Sequence, residues 1–193
     1  ECALTYGSSP VGRTVGPALE VREALKVLES MEGPNSLIEK STSIAGMLLE
    51  MGGVAIKGQG RKVAEDTLRN GYALNKMKEI IDIQGGDSIV TSDDINAGEY
   101  THKLTAPTDG YLIEFNNKRL IEIARLAGAP NDKGAGVLIH KKRGESVKKD
   151  QAVLTIHSEK EYKLKNAVKS AQMKSPIMIE GMLLERVPSY KEL

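Results

Sequence analysis

The chain has 193 residues, 40% of them hydrophobic and 27% charged, a balance that suits one large or two small packed domains and argues against disorder. Lys and Arg number 27 against 26 acids, so a net charge of +1 offers no overall attraction for nucleic acid or an anionic membrane. A lone cysteine, Cys2, excludes an internal disulfide and fits a reducing, cytoplasmic setting, and no apolar run reaches the roughly 20 residues that span a bilayer.

Residues 3–5, Ala-Leu-Thr, read as a short buried strand that starts without a lead-in, as in a piece excised from a longer chain. Gly16-Pro17 opens a helix over 17–28, because proline suits a first turn whose N–H has no partner. Val21, Ala24, Leu25 and Leu28 form its apolar face. Gly33-Pro34 stops that helix. Ser36 and Glu39 then have the spacing of a capping box for a second helix, with Ile44, Leu48 and Leu49 on the inner stripe and Gly52-Gly53 at its end. A third helix is expected over 61–83, carrying Leu68, Leu74, Met77 and Ile81. It contains Gly71, whose cost of about 1 kcal/mol against alanine implies close packing in compensation.

After Gly85-Gly86-Asp87 the patterning changes from helical to alternating, which places a domain boundary near Gly98. Residues 101–115 are strand-like and broken by the turn Ala106-Pro107-Thr108-Asp109-Gly110. A helix over 118–127 ends at Gly128-Ala129-Pro130, and 136–139 and 152–156 read as strands. An amphipathic helix over 160–172 and a closing strand over 176–186 complete a β-rich unit with two inserted helices. The fold class is α/β over 1–98, followed by this β-rich unit over 99–193.

Several residue groups invite a functional reading. Gly58-Gln59-Gly60-Arg61-Lys62 precedes a helix and could cradle an anion, but it lacks a dinucleotide or phosphate-loop fingerprint and a clear preceding strand, and it reads rather as a loop that starts a helix. Lys141-Lys142-Arg143-Gly144 is the densest basic run, and with no interleaved aromatics it reads as a solvated hairpin tip. Met173-Lys174 is similar to the modified lysine of biotinyl carriers, yet it follows a helix where a carrier lysine needs an exposed hairpin. His102, His140 and His157 show no zinc-ligand spacing, and no serine-histidine-acid set can be assembled.

Three blocks carry a family resemblance. The first joins Ala3-Leu4-Thr5 to Pro10-Val11-Gly12-Arg13-Thr14-Val15-Gly16-Pro17 and on through Glu20-Val21-Arg22-Glu23-Ala24. The second is Gly71-Tyr72-Ala73-Leu74-Asn75-Lys76-Met77, followed by Gln84-Gly85-Gly86-Asp87. The third runs from Ala106-Pro107-Thr108-Asp109-Gly110-Tyr111 through Gly136-Val137 and Gly144-Glu145-Ser146-Val147 to Ile156-His157-Ser158. Together they resemble the thymidine and pyrimidine nucleoside phosphorylases over nearly the whole chain. Tyr6-Gly7-Ser8-Ser9-Pro10 and Asn131-Asp132-Lys133-Gly134-Ala135-Gly136 are most similar to the archaeal AMP phosphorylase branch.

The resemblance implies the C-terminal portion of a phosphorylase α/β domain over 1–98 and a barrel-sandwich, hammerhead-like domain over 99–193. It implies a cytoplasmic pentosyltransferase in which phosphate, the co-substrate, attacks C1′ of AMP or another nucleoside 5′-monophosphate to give free base and ribose 1,5-bisphosphate. A thymidine or pyrimidine nucleoside phosphorylase is the alternative, as is a non-enzymatic assembly module. The family's phosphate loop and its base-binding Arg/Ser/Lys set lie upstream of Ala3, so no catalytic residue is assigned here, no cofactor is required, and this stretch alone is expected to be inactive. The family's small helical domain, where its dimers usually pair, is expected to be missing too. Implied partners are nucleotide and phosphate, with a homo-oligomeric parent and neither nucleic acid nor membrane. A potassium site is carried over onto the carbonyls of Val11 and Thr14 and the carboxylate of Glu23, since hard cations favour oxygen ligands. Glu23 reads equally as a helix-surface residue or the partner of a lysine.

Overall fold

A computed structural model describes residues 1–183. Short strand β1 (Thr14–Val15) leads into helices α1 (Pro17–Ser30), α2 (Asn35–Met51), α3 (Gly60–Arg69) and α4 (Tyr72–Ile83), then a 3-10 turn at Ser92–Asp94. Strands β2 (Tyr100–Thr105) and β3 (Gly110–Phe115), helix α5 (Asn117–Ala127), β4 (Gly136–Ile139), β5 (Ser146–Val147), β6 (Ala152–Ser158), α6 (Glu161–Met173) and β7 (Ile177–Glu180) follow. The fold is mixed α/β with two antiparallel sheets, one ordered β1-β4-β6-β2 and the other β5-β3-β7.

The core lies between these sheets and helices α5 and α6. Leu112, Leu120, Ile123, Val137, Ile139, Val153, Leu154 and Ile156 are all essentially inaccessible to water, and Ala167 and Ala171 bring α6 close. Burial of a side chain of that size is worth about 1.5–3 kcal/mol, so this cluster is the main source of stability. Local chemistry agrees with the packing. Asn116 caps α5 by accepting the Arg119 N–H at 3.1 Å, and buried Ser158 donates to the Ala127 carbonyl at 2.6 Å, satisfying a hydroxyl that burial would otherwise penalise.

The helices of the first half depart from expectation in instructive ways. Residues 3–5 form no strand, and Leu4 is 99% exposed, because no neighbouring strand among the described residues offers a ladder. The buried face of α1 is Leu19, Leu25 and Val27, while Val21 is exposed. No capping box starts α2: its N-cap is Pro34, and the Ser36 hydroxyl donates instead to the Val11 carbonyl at 2.7 Å. The α2 stripe is exposed at Ile44 and Leu48, and the buried α2 residues are Thr42 and Gly46. The expected long third helix is two helices, α3 and α4, broken at Gly71 in a left-handed conformation with φ +76°. A Cβ there would meet nothing, so backbone freedom rather than close packing explains the glycine. The closing strand is confined to Ile177–Glu180 within the described residues, and its expected end at 184–186 lies outside them.

Candidate functional site

Strand β1 positions the loop before it. Thr14 stands opposite Leu138 and Val15 opposite Val137, while the Ile139 N–H donates to the Arg13 carbonyl at 2.7 Å. This register brings residues 10–13 beside the turn that follows β4. The crossing is tight at Gly16 and Gly136: a Cβ on Gly16 would run into the Ala135 carbonyl, and one on Gly136 into the Val15 carbonyl. Gly16, at φ +127°, also needs the freedom that only glycine has.

Four polar groups then lock the loop. The Glu23 carboxylate on α1 accepts the Arg13 N–H at 2.8 and 3.1 Å and the Thr14 hydroxyl at 2.8 Å. It lies against Gly12, where a Cβ would collide with its Oε2. Lys142 reaches back from the turn and donates to three successive carbonyls, those of Pro10 at 2.6 Å, Val11 at 3.0 Å and Gly12 at 2.7 Å. An ammonium has three donors and each finds an oxygen, whereas a neutral amine could satisfy only two. Burial and nearby Arg13 push this lysine below its ordinary pKa, while Glu23 and Glu145 push it back up. Arg13 donates to the His140 carbonyl at 2.7 Å and pairs with Glu145 at 3.2 Å, and Arg143 donates to the Tyr6 hydroxyl at 3.0 Å. Hydrogen bonds from the Ser8 and Ser9 side chains, with that from Arg143, draw the exposed Tyr6 phenol down to about 8.

These residues border a cavity of about 740 Å³ whose wall includes Tyr6, Pro10, Val11, Ser36, Lys40, Ile44, Met47, Lys142 and Arg143. Its cations serve protein oxygens: Lys40 donates to the Tyr6 carbonyl at 3.2 Å, and Lys142 and Arg143 are committed as described. Among the described residues no group of three His, Cys, Asp or Glu could hold a metal ion. Of the residues carried over for potassium, the Val11 carbonyl already accepts from Lys142 and Ser36, and Glu23 holds Arg13 and Thr14.

The other candidates are scattered. At the start of α3 the Gly60 N–H is taken by the Glu50 carboxylate at 2.8 Å, and Arg61 pairs with Glu65 and Glu39, so the loop's anion is the chain's own. The basic run 141–143 is not a solvated tip, since Lys142 is half-buried and bonded to residues about 130 positions away. Lys174 stands exposed at the end of α6 with its carbonyl bonded to Arg119, not on a hairpin between strands. His102 lies on β2, His157 on β6, and His140 just beyond β4 against Thr155, forming no ligand cluster. Sequence patterning marked Lys142 and Glu145 but missed their roles, because their partners are distant in the chain. The glycines at 12, 16 and 136 were the available signal.

Residues 111–178 match the pyrimidine nucleoside phosphorylase C-terminal domain. An AMP phosphorylase of Methanosarcina acetivorans is 68% identical over 97% of the chain, one of Methanococcoides burtonii 64% over 100%, and one of Thermococcus kodakarensis 51% over 97%. The chain spans 37–38% of the length of these relatives. No helix among the described residues is long and apolar enough to cross a membrane. Along nearly its whole length, then, the chain is similar to AMP phosphorylases, and its residues 111–178 are similar to the pyrimidine nucleoside phosphorylase C-terminal domain.

Proposed function

We propose that this chain is the C-terminal part of a cytoplasmic, homo-oligomeric phosphorylase that converts AMP, and other nucleoside 5′-monophosphates, to free base and ribose 1,5-bisphosphate. The observation that carries this reading is 64–68% identity to AMP phosphorylases across 97–100% of the chain. A phosphate oxygen forms the new bond to C1′, the bond from C1′ to the base nitrogen breaks, and the proton of hydrogen phosphate ends on the base. Residues 99–193 then form the barrel-sandwich domain, and residues 1–98 the end of the phosphorylase α/β domain. Within this chain Lys40, Lys142 and Arg143 at the cavity are bonded to protein oxygens, which supports a scaffolding role for it, with the cleaving groups elsewhere in the enzyme.

A potassium ion on the Val11 and Thr14 carbonyls and the Glu23 carboxylate belongs to the same proposal. It would share the Val11 oxygen with the Lys142 ammonium, so ligands from the rest of the enzyme are needed to hold it.

The test is adenine release from AMP and phosphate, followed by chromatography. A polypeptide of the relatives' length carrying this chain is expected to release adenine, and the 193-residue chain alone to release none and to keep its melting temperature when AMP is added. Release by the chain alone would overturn the placement of the cleaving groups. No release by the longer polypeptide would overturn the activity.

A further inference from the structure

We propose that Lys142 is a tethered monovalent cation: its ammonium fills a nest of three main-chain carbonyls and so sets the shape of the loop bordering the 740 Å³ cavity. Three successive carbonyls, those of Pro10, Val11 and Gly12, converge on one point. Their lone pairs would repel one another there without a positive charge. Backbone oxygens arranged in this way form a cation site, and the chain supplies the cation from its own turn at 140–145. The charge is hemmed in, with Arg13 beside it drawn off by Glu145 and the His140 carbonyl, and Glu23 held against Gly12. Tethering has a thermodynamic advantage over a free ion, because the lysine is already at the site and no ion need be captured from solution. Lys142 is therefore a positioning residue that fixes residues 10–12 with respect to β4, independently of what the enzyme cleaves.

The inference predicts chemical rescue. In Lys142→Met the unbranched side chain ends one atom short of the ammonium position and the charge is removed, leaving the carbonyls open to an ion of ammonium-like size. Melting temperature is measured in choline chloride, potassium chloride and ammonium chloride at matched ionic strength. The variant should melt about 4 °C below the parent chain in choline chloride. It should regain at least half of that loss in potassium or ammonium chloride, whereas the parent chain and Lys141→Met should not distinguish the three salts. No salt-specific recovery would overturn the proposal. So would a potassium-specific rise of equal size in the parent chain and the variant, since the ion would then sit elsewhere.

A second measurement needs no variant to fold. In the parent chain, ¹⁵N-detected lysine side-chain spectra should show the Lys142 ammonium exchanging its protons with water at least tenfold more slowly than an exposed lysine such as Lys149. Equal exchange rates would overturn the nest.

Discussion

His157 shows how one side chain can set a pH limit. Its Nδ1 lies 3.3 Å from the Gly98 carbonyl, which can only accept, so Nδ1 carries the proton and the neutral ring leaves Nε2 as a buried acceptor without a partner. Burial pushes the imidazole below its ordinary pKa, the Gly98 hydrogen bond raises it, and Arg22 lowers it again. A second proton would place a charged N–H where nothing accepts it. The unfolded chain therefore binds more protons than the folded one in the window beginning near the ordinary value of about 6.5 and extending down to the folded value. Stability should be full above that window and fall as pH drops through it. Urea midpoints at pH 7.5 and 5.5 measure the change; carboxylates, with ordinary values near 4, contribute little there, and His140, lowered chiefly by its own burial, adds a fall of the same sign that His157→Gln retains. A midpoint that does not fall, or an equal fall in His157→Gln, would remove His157 as the cause. Residue-scale detail of this kind was only partly legible in the sequence. Glu23 could be read as a helix-surface acid or a cation ligand, yet its actual role depends on Gly12 having no side chain. Lys142 looked like solvent-facing charge because its acceptors are carbonyls, which every residue has and no pattern marks.

At the scale of elements, the α2–α3 pair rests on contact between glycines. A Cβ on Gly46 would run into the Arg61 N–H and come within 2.6 Å of the Gly60 carbonyl carbon, so the two helices meet backbone to backbone. Gly46→Ala must splay them, at a cost of about 2 kcal/mol. Gly71→Ala meets open space but forces alanine into a left-handed conformation, at a cost of about 1 kcal/mol. Urea unfolding of both variants should rank Gly46→Ala as the more damaging, and the reverse order would show that the α2–α3 contact yields easily. Neither role could be read from apolar spacing. A 3.6-residue period continues across Asn70-Gly71 as if the helix were unbroken, and a helix that buries Gly46 instead of Ile44 inverts the usual relation between hydrophobicity and burial. The strands of the second half were easier to place, because the short apolar runs at Gly136–Ile139 and Ala152–Ser158 are buried in a sheet contained within this chain.

Over the whole molecule, burial is unevenly distributed. The continuous core is drawn from residues 106–171, whereas α4 buries no residue and leaves Tyr72, Ile80 and Ile83 exposed, Ile83 at 84%. Helical hydrogen bonds backed by an apolar face that is only half-buried open at low cost, since propensity alone scarcely holds a helix of 12 residues in water. Amide exchange followed by mass spectrometry should therefore find α4 exchanging at least a hundredfold faster than β4 and β6, with α1 between them because Leu19 packs on the second-half sheet near Gly136. Equal protection of α4 and β6 would mean that the half-buried Leu74, Met77 and Ile81 contribute more than their exposure suggests. The same measurement on a polypeptide of the relatives' length separates two explanations for the exposed apolar residues. If the rest of the enzyme covers them, α4 amides should slow towards the rate of the β6 amides. If they stay fast there, the apolar face is not an intramolecular interface, and the proposal that this chain completes a larger phosphorylase domain through its helices would fail while the β-rich unit stood unaffected.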